Sequence, residues 1–141
     1  MALLKKILAP TDFSELSAEG VRYACHLARD VGAHVIVLNV IVLDESNTTG
    51  KGEMERHQQR LEEFVGKTVS HRADLKIREV VVAGQPYGAI IDCAEHEKVD
   101  LIVMSTHGRG GLSRMLIGSV TDKLLRSATC PVLVVPAESK R

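Results

Sequence analysis

"DLIVMSTHGRGGLSRMLIGSVTDKLLRSATCPVLVVP", residues 100–136, decides the fold of this chain. It opens on the apolar run "DLIVMS", 100–105, and crosses a connection with glycines at 108, 110, 111 and 118. It continues through "SVTDKLLRSAT", 119–129, which has helical spacing, and closes on the apolar run "CPVLVVP", 130–136. Short runs without polar alternation read as strands covered on both faces, the signature of a parallel sheet. Strand, glycine-rich connection, helix, strand is therefore the unit to look for in the rest of the chain.

Working outward, the same alternation recurs. "KILAP", 6–10, is a strand ended by proline. A helix follows, with Ser14 as N-cap, apolar positions at Leu16, Val21, Ala24, Leu27, Ala28 and Val31, and Gly32 as its stop. "AHVIVLNVIVL", 33–43, is a β-branched strand, and the polar stretch 44–52 is a mobile surface loop. A polar helix over 53–72 carries a thin stripe of Met54, Leu61, Phe64, Val65 and Val69. A strand over 75–84 and a helix over 85–99, with Pro86 in its first turn, complete the order β-α-β-α-β-α-β-α-β. Strict alternation predicts an α/β fold, a five-stranded parallel sheet with helices on both faces. The 141 residues suit one domain, 1–141, with its core over about 4–136.

Composition narrows the function. Eighteen basic residues balance eighteen acidic ones, which argues against a general nucleic-acid binder. Two Tyr, two Phe and no Trp leave few platforms for stacking single-stranded bases. No segment approaches the roughly 20 apolar residues of a membrane helix, and the N-terminus lacks the pattern of a secretory signal. Three widely spaced cysteines, Cys25, Cys93 and Cys130, give neither a disulfide framework nor a zinc site. A reduced, cytoplasmic protein is expected.

In open α/β sheets, ligands bind beyond the carboxyl ends of the strands, where neighbouring connections diverge. Two such ends stand out. Asp12 follows Pro10 at the end of the first strand, where it either caps the helix with Ser14 or contacts a sugar hydroxyl, a base edge or a phosphate-held metal. The fourth strand is followed by the glycine connection. Gly108, Gly110 and Gly111 lack Cβ atoms, so the backbone is free to turn its amides inward as an anion-binding concavity. Gly118-Ser119 is then expected to open a helix whose free N–H groups and dipole favour phosphate. Arg109 and Arg114 supply charge or face water, and the alternative is a plain loop capped by Ser119.

From "KKILAPTDFSELSAEGVRYACHLA" through "VLNV" to the closing segment, residues 4–136 resemble a single-domain universal stress protein. ATP-binding members of that family carry Gly-x2-Gly-x9-Gly-Ser/Thr. Gly108, Gly118 and Ser119 match it, and Ser105 replaces its first glycine, adding a Cβ and hydroxyl near the expected ribose and phosphates. The resemblance implies a sheet order of 3-2-1-4-5, which sets Asp12 and the glycine connection beside one cleft. It implies that Asp12 touches the nucleoside and that Pro10, Val40 and Met104 line the adenine pocket. It places Ser105, Gly108, Arg109, Gly118, Ser119 and Val120 around ribose and phosphates. ATP or AMP is the implied ligand, with Mg²⁺ or Mn²⁺ bridging the phosphates. A homodimer through the edge strand 130–136 is implied as well.

Three functions compete. The first is a nucleotide-binding regulatory homodimer of a stress response. The second is a slow ATP hydrolase, disfavoured because the chain has no Gly-x4-Gly-Lys-Ser/Thr loop and Asp12 is the one obvious acidic candidate. The third is a stress protein without ATP that acts by protein contact, an option kept open by Ser105. His26, His34, His57, His71 and His96 show no metal-ligand spacing and read as surface or partly buried. His107 belongs to the glycine connection and either donates to the ligand or shapes the turn.

Overall fold

The computed structural model describes residues 3–43, 50–106 and 112–136, leaving aside the side chains of Lys51, Thr106 and residues 112–119. The strands are β1 (Lys6–Pro10), β2 (His34–Val42), β3 (Lys76–Gly84), β4 (Leu101–Thr106) and β5 (Val132–Pro136). They alternate with the helices α1 (Glu15–Val31), α2 (Lys51–Thr68), α3 (Pro86–Glu97) and α4 (Leu112–Ser127). All pairings are parallel, and the order is β3-β2-β1-β4-β5. Alternation and sheet order agree with the expectations above.

Side chains on a strand point alternately to its two faces, so each strand feeds two cores. Ile7 and Ala9 of β1, Val35 and Val37 of β2, and Leu101 and Val103 of β4 pack on one face. There they meet Val21, Ala24, Cys25 and Ala28 of α1 and Leu61 and Val65 of α2. Leu8, Ile36, Leu38, Ile102 and Met104 point to the opposite face, against Ile90 and Ala94 of α3 and Leu124 of α4. This double burial is why the strands read as unbroken apolar runs.

The local signals act as expected at three helix ends. The Ser14 side chain accepts from the Ser17 amide, 3.1 Å away, and starts α1. Gly32 ends that helix at φ 76, where an L side chain would be strained. Pro86 opens α3, where its missing N–H costs nothing.

Two boundaries differ from expectation by more than two residues. Helix α2 stops at Thr68, and a short 3₁₀ turn over Arg72–Asp74 leads into β3. Helix α4 starts at Leu112, seven residues before the expected start at Ser119. Leu112, Arg114, Met115 and Leu116 are strong helix formers, and their propensity outweighs the roughly 1 kcal/mol cost of Gly118 inside the helix. Gly118-Ser119 therefore lies within the helix and does not open it. The tail 137–141 and most of the loop 44–52 lie outside the described residues.

Candidate functional site

β1 is shorter than its neighbours, and that difference makes the site. Pro10 ends it opposite Leu38, whereas β2 continues to Val42 and β4 to Thr106. The Thr11 amide makes one last bond to the Leu38 carbonyl at 2.8 Å, and the chain then leaves the sheet. The connection from β3 to β4 crosses over β1 and β2, so the neighbouring connections diverge beside β1. A cavity of about 290 Å³ opens there, near the lower end of the roughly 300–1,000 Å³ typical of ligand pockets.

Six of the eleven expected site residues line this cavity: Pro10, Asp12, Val40, Met104, Ser105 and Val120. Gly118 and Ser119 belong to α4, with side chains outside the described ones. His107, Gly108 and Arg109 lie outside the described residues. α3 adds Pro86 and Ile90 to the lining. The walls are therefore mostly apolar, with polar groups gathered where β1 turns into α1.

Backbone direction matters at Val40. The amide and carbonyl of one residue in a parallel strand point to the same side, and consecutive residues point to opposite sides. Leu38 faces β1, as its bond to Thr11 shows, and Leu43 faces β3 through its bond to Gly84. Val40 accordingly turns its amide and carbonyl to the side that β1 has vacated.

Asp12 is exposed at the mouth. Partial burial works against its ionisation, but hydrogen bonds from the Ser14 side chain and amide, with help from Ser17, outweigh it. The net effect holds the carboxyl below its usual range. The Ser14 amide lies 3.0 Å from Oδ1. Asp12 is thus an acceptor with a fixed negative charge near neutral pH, suited to sugar hydroxyls or a cation and unsuited to direct phosphate contact. Among the described residues no three His, Cys, Asp or Glu side chains cluster as metal ligands. The donor set fits a Mg²⁺-type ion carried by phosphates and waters with one protein carboxylate, and it does not fit a protein-only cage.

Ser105 has an unexpected partner. Its Oγ accepts the Gly20 amide of α1 at 2.7 Å, on the face of the sheet that also carries Leu101 and Val103. A Cβ at position 20 would come within 2.5 Å of that Oγ. The serine hydroxyl is therefore engaged with α1, and Gly20 makes the room for it.

The sequence reading missed the polar groups behind the site. Thr11 Oγ1 lies 2.6 Å from Ser17 Oγ and accepts the Phe13 amide at 3.0 Å. Buried Asn39 of β2 donates from Nδ2 to the Thr11 carbonyl, and its Oδ1 lies 3.0 Å from His57 Nδ1 of α2. The signal was present: Asn39 is the single polar residue within "VIVLNVIVL".

The universal stress protein family model matches residues 4–136. Universal stress protein MJ0531 of Methanocaldococcus jannaschii is 37% identical over 147 residues, covering 98% of this chain and 85% of that protein. The solved structure of MJ0577 from the same organism is 32% identical, with a TM-score of 0.69 over 99% of this chain and all of that one. A universal stress protein solved in complex with cAMP is 21% identical, with a TM-score of 0.77 over 97% of this chain and all of that one. By family match and sequence identity alike, the chain belongs to the universal stress protein family.

Proposed function

We propose that this chain is a regulatory adenine-nucleotide-binding protein, with ATP or AMP as ligand, that works as a homodimer. The observation that carries the reading is the cavity where β1 ends. It combines an apolar slot from Val40, Met104, Ile90 and Val120 with an ionised carboxylate at its mouth. A flat base suits the slot. The Val40 amide and carbonyl present a donor beside an acceptor, which complements the N1 and N6 edge of adenine and mismatches guanine. Asp12 accepts from ribose hydroxyls or holds a phosphate-borne Mg²⁺ or Mn²⁺. Phosphates are assigned to the glycine connection, with His107, Gly108, Arg109, Gly118, Ser119 and Val120 around them. The cAMP complex of a structural relative agrees with an adenine nucleotide as the ligand class.

The same features give little support to an efficient hydrolase, because Asp12 is the one carboxylate among the described lining residues. Homodimerisation is assigned to β5, an edge strand whose Val132, Leu133, Val134 and Val135 are half-buried. Apolar edges favour pairing. The exposed Pro136 at its end limits such a pairing to a short segment.

Calorimetric titration with ATP and GTP tests the reading. ATP is expected to bind at least tenfold more tightly than GTP. Val40→Trp, which fills the slot, is expected to abolish ATP binding while the thermal melt stays cooperative. Equal affinity for both nucleotides, or unaltered ATP binding by the variant, overturns it. Light scattering of the purified chain at micromolar concentration decides between monomer and dimer.

A further inference from the structure

We propose that Asn39, oriented by His57, is the positioning residue that fixes the Thr11–Phe13 connection and through it the place of Asp12 in the cavity. The proposal rests on the nucleotide reading of the same cavity. A buried amide in an otherwise apolar strand is costly unless its hydrogen bonds are made, and here both ends of Asn39 are engaged. Nδ2 donates to the Thr11 carbonyl at 3.0 Å. Oδ1 accepts from His57 Nδ1, also at 3.0 Å, which sets the histidine tautomer with its proton on Nδ1. Glu53 Oε2 lies 3.9 Å from the other ring nitrogen, one turn back along α2.

The chain Glu53, His57, Asn39, Thr11 runs from α2 along the α1/α2 face of the sheet to the residue preceding Asp12. A second set of contacts acts on the residue that follows it. Phe13 adopts φ 71, a conformation that bulky side chains avoid. Its ring packs at 5.9 Å from Phe64 and 6.0 Å from His57, and the Arg60 guanidinium lies 4.4 Å from its centroid. All three partners belong to α2. Asp12, which lines the cavity, thus sits between Phe13, packed directly on α2, and Thr11, which α2 reaches through His57 and Asn39.

Asn39→Asp separates this role from packing. The shape is kept and His57 still has an acceptor, but the donor to Thr11 becomes a second acceptor facing a carbonyl. Two readouts are needed. In the ligand-free protein, hydrogen exchange at the Phe13 and Ser14 amides is expected to accelerate at least tenfold, with β3 and β4 amides unchanged. In ATP titrations, affinity is expected to fall about tenfold, and the fall is expected to vanish in an Asp12→Ala background, because residues of one unit are not additive. Should Asn39→Asp fail to fold, His57→Leu is expected to show the same pair of effects, and His57→Asn, which restores a donor near Nδ1, to reverse them. Unchanged exchange overturns the proposal, as does an affinity loss of equal size with and without Asp12. If wild-type protein binds no adenine nucleotide while exchange accelerates in the variant, the nucleotide reading falls and the anchoring of the connection stands.

Discussion

The two faces of the sheet are finished differently at the carboxyl ends of the strands. On the α3/α4 side, Leu38, Val40, Met104 and Ile90 stop short of one another and leave a cavity. On the α1/α2 side, the space is closed by Asn39, His57 and the Phe13 ring, with Thr11 and Ser17 between that layer and the cavity. One face is apolar and open, the other polar and filled. An open apolar cavity forfeits dispersion contacts along its lining. That loss is tolerable where the main chain beside the gap is held from behind, and preorganised sites need this kind of supporting layer. The same strands serve both purposes because consecutive residues, Asn39 and Val40 or Met104 and Ser105, point opposite ways.

The largest effects should come from the filled face. Leu61 of α2 is fully buried in the core on the α1/α2 face. Leu61→Ala is expected to lower stability by about 2–5 kcal/mol, the range for buried leucines whose surroundings collapse incompletely. Val40→Ala on the open face removes methyls that already border empty space, and about 1 kcal/mol or less is expected. Urea melts of the two variants check this. Equal losses would break the contrast between the faces.

A sharper version concerns Gly20 and Ser105. Gly20→Ala places a Cβ 2.5 Å from Ser105 Oγ, 3.3 Å from its amide nitrogen and 3.4 Å from the Met104 carbonyl carbon. A helical alanine is intrinsically better than glycine by about 1 kcal/mol. Overpacking of this severity costs about 1–3 kcal/mol and should outweigh that gain. In a Ser105→Gly background the closest atom is gone, and the remaining contacts need shifts of only a few tenths of an ångström. The expected coupling is about 1 kcal/mol or more, read as non-additivity in a double-mutant cycle by urea melts. Additive losses would mean that the serine hydroxyl is not what holds α1 at its distance.

The pair also shows how far the sequence was legible. Strand and helix identity, the sheet order and the six lining residues follow from alternation, from the short first strand and from the family resemblance. Alternation is a local, periodic signal, whereas the sheet order and the adenine-pocket residues Pro10, Val40 and Met104 come only with the resemblance. The fate of Ser105 was not legible, because it depends on Gly20, 85 residues earlier in the chain, and a glycine inside a helix signals nothing about which strand lies against it. Asn39 was visible as a polar intruder, but its partners His57 and Thr11 are brought to it by tertiary packing. The early start of α4 was missed for a different reason. Glycine spacing suggested a long loop, and the helix formers between Leu112 and Ile117 prevail over it.

The smallest effect belongs to Asp12 itself. In Asp12→Asn the amide oxygen still accepts from Ser14, so only the charge is lost. Because the folded carboxyl titrates below its usual value of 3.8, its ionised form contributes stability that is fully present above that value. The contribution disappears as pH falls through the still lower folded value. Asp12 is exposed, and solvent screens the interaction, so the difference in melting temperature between wild type and Asp12→Asn should be small at pH 7 and shrink as pH falls below 3.8. Nucleotide affinity of the wild type should stay flat between pH 5 and 8 as far as Asp12 is concerned, since the group remains ionised throughout. A difference in melting temperature that stays unchanged throughout the acid range below 3.8, until the protein itself unfolds, would show that charge is not what the Ser14 and Ser17 hydrogen bonds recognise. The carboxylate would then be held in the cavity mouth by shape alone, and the open face would lose the one electrostatic feature that distinguishes it from an ordinary packing defect.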